Sequence, residues 1–148
     1  MDKIDYIIHT DGGYSQKYNI GGFAYIICDA KDNELKRGAW KIENETNNRA
    51  ELKAIIAALH NLPNDAKSVI VISDSQYALN TCSGNWKRKL NKDLFAIHDE
   101  IVKKRGLKVS YEWVKGHDGD YYNELCDKLC NEVAGFDLNE EYRKYLKK

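Results

Sequence analysis

The sequence predicts an α/β domain, a mixed β-sheet with helices packed on its faces. Three observations predict it: strand-like segments follow one another directly at the start, single strands then alternate with helical stripes, and turn residues fall between them. Strands in direct succession pair antiparallel and strands separated by helices run parallel, so the order β-β-β-α-β-α-β-α puts both senses into one sheet.

Ile4 to Thr10 reads as the first strand. Gly21-Gly22 interrupts the chain, Phe23 to Cys28 forms the second, and the turn-like Lys31-Asp32-Asn33 leads to a third from Leu35 to Ile42, an antiparallel meander. From Asn47 the period changes. Leu52, Ile55, Ile56 and Leu59 lie on one helical face, with Asn47 or Asn48 as the cap and Pro63 beyond the end. Val69 to Ile72 is a β-branched run too short for a helix and fit for a strand buried on both faces. Leu90, Leu94, Ile97 and Ile101 give a second helical stripe that stops before Gly106. Leu107, Val109, Tyr111 and Trp113 alternate as a last strand, and Leu125, Leu129 and Val133 mark a final helix.

The 148 residues match one domain, and a chain near that length buries roughly 70% of its unfolded surface. With 43% hydrophobic and 31% charged residues and a single proline, disordered and fibrous classes are excluded. No apolar run approaches the roughly 20 residues of a membrane span, and the first residues lack the features of a targeting segment, so a cytoplasmic protein is expected. Cys28, Cys82, Cys126 and Cys130 form no Cys-x-x-Cys, which favours reduced, buried thiols. Basic and acidic residues balance at 23 each, so any attraction to phosphates must come from local patches.

Asp11 falls at the end of the first strand and Asp74 at the end of the fourth, the edge where open α/β sheets bind ligands. Glu51, one turn into the first helix, and Asp127, on the last, lie near the borders of buried faces. Taken singly, each has a plain structural role, as turn former or solvated helix residue. Gathered, they would offer hard oxygen ligands suited to Mg²⁺ or Mn²⁺ rather than zinc, and two such ions about 3.5–4 Å apart clamp a phosphodiester for in-line cleavage.

Thr10-Asp11-Gly12, Thr46-Asn47-Asn48-Arg49-Ala50-Glu51-Leu52, Ser73-Asp74-Ser75-Gln76-Tyr77, and Glu112 to His117 followed by Asn123 to Asp127 occur in this order. The chain resembles the type 1 ribonuclease H family from about Ile4 to Val133. The resemblance implies the ribonuclease H-like fold, a five-stranded sheet in order 3-2-1-4-5 with strand 2 antiparallel and helices on both faces. It implies an endonuclease acting on the RNA strand of RNA/DNA hybrids, leaving 3′-hydroxyl and 5′-phosphate ends. Asp11, Glu51, Asp74 and Asp127 would hold two Mg²⁺ ions, with Mn²⁺ as a substitute, and His117 would aid proton transfer or product release. His9, His60 and His98 are read as solvated surface residues.

The 2′-hydroxyl separates RNA from DNA, and amides able to donate and accept suit it. Asn47, Asn48 and Gln76 supply such groups, and Gly12 joins them in contacting substrate by resemblance. Thr46 resembles the threonine of a pocket for a DNA phosphate, with Asn91 as its partner. Trp86 and Phe95, flanked by Lys87, Arg88, Lys89 and Lys92, either stack on DNA or, for the tryptophan at a helix boundary, plug the core.

The chain also departs from the family. The long basic protrusion is missing, Glu43-Asn44-Glu45 occupies the region where an arginine often precedes the phosphate-pocket threonine, and Gln16 to Gly22 replaces the usual glycine- and proline-rich loop. Weak, salt-sensitive hybrid binding by a monomer is expected. Residues 1–135 are expected to form the catalytic domain, and 136–148 a basic tail, either a helix packed on it or a basic handle. A binding domain that has lost catalysis is disfavoured by retention of all four acids, and a DNA-cutting nuclease of the same fold by the amides.

Overall fold

The computed structural model describes residues 3–116, 119–135 and 138. Five strands form one sheet: β1 (Tyr6–Ser15), β2 (Ile20–Asp29), β3 (Glu34–Glu43), β4 (Ser68–Ser73) and β5 (Lys108–Trp113). Helices α1 (Asn47–His60), α2 (Gln76–Cys82), α3 (Lys92–Lys104) and α4 (Tyr121–Ala134) complete the described fold. The sheet order is β3-β2-β1-β4-β5, with β2 antiparallel to both neighbours and β1, β4 and β5 parallel. This is the predicted topology. No helix among the described residues is long and apolar enough to cross a membrane.

Strand alternation divides the core in two. On one face Ile8, Tyr25, Ile27, Val69 and Val71 meet Leu52, Ile55 and Leu59 of α1, Ala78 and Leu79 of α2, and Leu94 and Phe95 of α3. On the other, Ala24, Ile26 and Cys28 meet Cys126 and Cys130 of α4. Small residues let α4 lie close, since a Cβ on Gly22 would stand 2.7 Å from the Cys130 carbonyl oxygen. The buried stripe of α4 is therefore Cys126, Cys130 and Ala134, with Leu125 and Leu129 at its half-buried margin. All four cysteines are free and buried, as expected.

Several expectations need correction. Gly21 and Gly22 do not interrupt the chain; they lie inside β2, paired with Tyr14 and Gly13 of a long β1. The cap of α1 is Thr46, whose Oγ1 accepts from the Arg49 amide at 3.2 Å, and not Asn47 or Asn48. β4 is not buried on both faces: Val69, Val71 and Ser73 are buried while Ile70 and Ile72 are half-exposed, because α4 packs chiefly on β1, β2 and β3. Leu90 is 73% exposed and precedes α3, since Asn91 at φ 59° turns the chain before the helix begins. Ile97 is exposed as well, and Phe95 and His98 take the buried positions.

His9 and His98 are buried rather than solvated. His98 joins the Tyr111 hydroxyl at 2.7 Å and Asp99 at 2.8 Å, and burial lowers its pKa. At the far end of the core, the Arg105 guanidinium donates to the carbonyls of Leu59, Leu62 and Pro63 at 2.8, 3.0 and 2.8 Å. These include acceptors left open where α1 ends. Arg105→Ala should lower stability by about 2 kcal/mol, roughly 8 °C in Tm by thermal melting, with Arg105→Lys losing less.

Candidate active site

β1 and β4 run in parallel only as far as the pair His9 and Ile72, after which β1 continues against β2 alone. Asp11 thus does not end its strand; it sits mid-strand opposite Ala24, just past the point where β4 leaves, and Asp74 immediately follows β4. The divergence opens the sheet edge between them. Glu51 arrives there because Gly12 has no side chain: a Cβ at that position would stand 2.5 Å from the Ala50 carbonyl carbon and 2.6 Å from the Glu51 nitrogen. The backbone of α1 therefore rests directly on β1.

One carboxylate oxygen from each of Asp11, Glu51 and Asp74 lies within 4.8 Å of the others. Together with Asp127 they line a cavity of about 310 Å³, whose wall also includes Gly12, Tyr14 and Asn47. The Gly12 amide donates to Asp11 Oδ1 at 3.0 Å. Trp113 Nε1 donates to the Asp74 carbonyl at 3.1 Å, and Val114 to the Ser73 carbonyl at 3.0 Å, so β5 steadies the backbone that presents Asp74.

Burial, then the charges of Glu51, Asp74 and Asp127, pushes the Asp11 carboxyl well above the ordinary carboxylate range. Burial, then the charge of Asp74, does the same to Glu51. Among the described residues, Glu51 Oε2 is buried without a hydrogen-bond partner. Like charges out of water and an unsatisfied acceptor are what a cation would relieve, and an all-oxygen donor set suits a hard divalent ion. Burial also raises the Cys126 and Cys130 thiols, which stay protonated beside the cluster.

These shifts fix a sign. A carboxyl that titrates higher in the folded protein keeps a proton the unfolded chain has lost, so stability from it is complete below the unfolded value near ~4 and declines as pH rises toward the folded value. A divalent cation reverses this decline. The rise in Tm on adding excess Mg²⁺ to chelator-treated protein should therefore be larger at about pH 8 than at about pH 5. A rise independent of pH would contradict this electrostatic account.

Of the substrate-contact candidates, Gly12 and Asn47 line the cavity, whereas Thr46, Asn48, Gln76, Trp86 and Asn91 stand outside its wall. Thr46, the cap of α1, and Asn48 and Gln76, in the first turns of α1 and α2, are exposed. Trp86 is 46% exposed, on the surface and not in the core. Phe95, by contrast, is 3% exposed and unavailable for stacking. Arg88 is also engaged: it donates to the carbonyls of Thr81 and Cys82, pairs with Asp99 and covers the Phe95 ring at 4.7 Å. Lys87, Lys89 and Lys92 are exposed in the stretch of chain that follows Trp86. His117 and, except for Leu138, the C-terminal tail lie outside the described residues.

Sequence reasoning missed Arg49. Its guanidinium donates to both Asp93 oxygens at 2.9 and 2.8 Å, to Glu45 at 2.7 Å and to Asn91 Oδ1 at 3.3 Å. Asp93 is held down to about 2 by this arginine. Asn91 Nδ2 donates in turn to the Tyr77 hydroxyl at 2.9 Å. Arg49 thus joins Thr46 at the start of α1 to Asn91 at the start of α3, a link legible only in its place between Thr46 and Glu51.

The ribonuclease H family profile matches residues 3–135. The chain is 36% identical to the ribonuclease H of Anaeromyxobacter dehalogenans, over 90% of this chain and 82% of that protein. It is 35% identical to the ribonuclease H of Treponema denticola, over 86% and 95%. Among solved structures, LC11-RNase H1 in complex with an RNA/DNA hybrid superimposes with a TM-score of 0.77 at 29% identity, over 88% of this chain and 97% of that one. A related structure describes LC11-RNase H1 as isolated from compost. With a shared sheet order and a profile spanning the whole described sheet, this chain belongs to the ribonuclease H family of endoribonucleases.

Proposed function

We propose that this ribonuclease H hydrolyses the RNA strand of RNA/DNA hybrids at the cavity of Asp11, Glu51, Asp74 and Asp127, using two Mg²⁺ ions that Mn²⁺ can replace, and leaves 3′-hydroxyl and 5′-phosphate ends. The observation that carries the reading is the convergence of the Asp11, Glu51 and Asp74 carboxylates, the first two of them buried, with Glu51 Oε2 given no partner by the described residues. Bound divalent ions supply Lewis acidity, which activates water and stabilises the leaving oxygen in an in-line displacement.

The chain's own residues hold and orient. The Gly12 amide fixes the Asp11 carboxylate, Glu51 enters from the first turns of α1, and Asp127 reaches the cavity from α4. Asn47 stands in the cavity wall, where an amide can meet a 2′-hydroxyl, and Asn48 and Gln76 offer the same chemistry beside it. Thr46 and Asn91, spaced by Arg49, form the grip on a phosphate of the DNA strand. His117 assists proton transfer or product release. The enzyme acts as a monomer in the cytoplasm; four free thiols suit a reducing compartment.

The test is incubation with end-labelled RNA/DNA hybrid, duplex DNA and duplex RNA, each with Mg²⁺, with Mn²⁺ or with chelator. Cleavage confined to the RNA of the hybrid and lost in chelator is expected. Equal cleavage of duplex DNA would refute the substrate, and cleavage in chelator the mechanism. Trp86→Ala should raise KM for the hybrid about tenfold, the equivalent of one stacked base, with kcat within about twofold in steady-state assays.

A further inference from the structure

On the α4 face of the sheet, a second group of ligating side chains lies outside the carboxylate cavity. His9 of β1, Cys28 of β2 and Asp32 of the β2–β3 turn each place one ligand atom within 4.8 Å of the others. His9 Nε2 and Asp32 Oδ1 are 2.9 Å apart. We propose that His9, Cys28 and Asp32 form a Zn²⁺ site, with solvent completing a tetrahedral shell on the exposed side of Asp32.

The donor set argues for zinc. One imidazole, one thiol and one carboxylate form a mixed set of nitrogen, sulfur and oxygen, which suits this borderline ion, whereas Mg²⁺ wants oxygen alone. Tetrahedral Zn²⁺ places such atoms about 3.4 to 3.6 Å apart. The observed separations, 2.9 Å for one pair and at most 4.8 Å for the rest, lie around those values, so seating an ion takes shifts of about an ångström or less.

The histidine is also free to ligate. His9 is 3% exposed, and its Nδ1 is buried with no hydrogen-bond partner among the described residues. No acceptor on Nδ1 fixes the tautomer, so the ring proton can move there when Nε2 gives its lone pair to an ion. Tyr122 lies over the imidazole with centroids 4.6 Å apart, which limits its tilt.

The carboxylate is positioned in advance. Asp32 has φ 65°, a left-handed conformation, within a turn that Asp29 organises by accepting from the amides of Lys31 and Asn33 at 2.9 Å each. The Asp32 amide donates to the Asp29 carbonyl at 3.0 Å, and the Tyr122 hydroxyl donates to the Asp32 carbonyl at 2.8 Å. The Asp32 side chain is 47% exposed, which gives the ion a path in from solvent. An ion here would join β1, β2, the turn and, through Tyr122, α4.

Two costs limit affinity. The ion must displace the Cys28 proton from a thiol that burial pushes up to about 12, and Nδ1 has no acceptor to strengthen the imidazole. Dissociation constants near about 1 µM are expected, well short of a structural zinc finger.

The experiment titrates Co²⁺ into the chelator-treated full chain with Mg²⁺ in large excess, which keeps the all-oxygen cavity filled. Expected is one Co²⁺ per chain with a thiolate-to-cobalt charge-transfer band and the visible spectrum of a four-coordinate ion, both erased by one equivalent of Zn²⁺. Cys28→Ser should abolish the band, and Asp32→Asn, which tolerates the left-handed turn, should weaken binding at least tenfold. Cys130→Ser, which removes the thiol in the carboxylate cavity, should leave the charge-transfer band in place. Absence of the band in the parent, its survival in Cys28→Ser, its loss in Cys130→Ser, or parental affinity in the exposed-turn variant Asp32→Asn would each overturn the proposal.

Discussion

Asp11→Asn is expected to cut hybrid cleavage at least roughly a thousand-fold while raising the Tm of the metal-free protein. The two effects share one cause. The amide keeps the shape of the carboxylate, and its oxygen can still accept from the Gly12 amide, so the backbone of β1 has no reason to move. What disappears is a buried charge that faces Glu51, Asp74 and Asp127. Without ions that charge is a burden on the fold; with ions it is a ligand. Steady-state cleavage and thermal melts, each in Mg²⁺ and in chelator, separate the readings. Loss of both activity and stability would make Asp11 a structural residue, and parental activity would remove it from the chemistry.

Gly12→Ala is expected to destabilise the protein by about 3 kcal/mol, roughly 10 °C in Tm, and to reduce cleavage far more than the unfolded fraction explains. The added methyl would meet backbone atoms of Ala50 and Glu51 at 2.5 to 2.7 Å, and a helix backbone cannot rotate aside as a side chain can. α1 would have to lift from β1, carrying Glu51 away from Asp11. Chemical denaturation and cleavage at a temperature where the variant is fully folded would measure the two losses separately. Stability within about 1 kcal/mol of the parent would show that helix and strand have slack at this contact.

The sheet order was legible because it rests on strong signals: β-branched or alternating runs, and the Leu52, Ile55, Leu59 stripe of α1. The short α2 was missed. Its seven residues bury only Ala78, Leu79, Thr81 and Cys82, and Ser75, its cap, reads equally well as a turn residue after Asp74. Residues 83–91 then reach α3 without a helix of their own, in keeping with the missing protrusion.

The gathering of distant acids was legible as well, although Asp11 lies mid-strand and not at a strand end. Asp11 meets Asp74 because two parallel strands part company, a fact of register that no local window contains. The buried histidines were illegible for a related reason. His9 is polar by composition, yet its strand position places it against Tyr122 of α4, and His98, beside Asp99 in the chain, acquires Tyr111 as a partner only once α3 packs near β5. Arg49 was visible as a residue of the segment from Thr46 to Leu52, but its link to Asp93, 44 positions away, belongs to the packing of α1 against α3.

Among the described residues the sheet ends on β3 at one side and β5 at the other, and each leaves a row of amides and carbonyls without a neighbouring strand there. β3 carries Glu34, Lys36, Arg37, Lys41 and Glu43, and β5 carries Lys108 and Glu112, all exposed. An incoming strand from another molecule would have to bury or oppose these charges before gaining any hydrogen bond. Such borders oppose edge-to-edge pairing with a strand of another molecule.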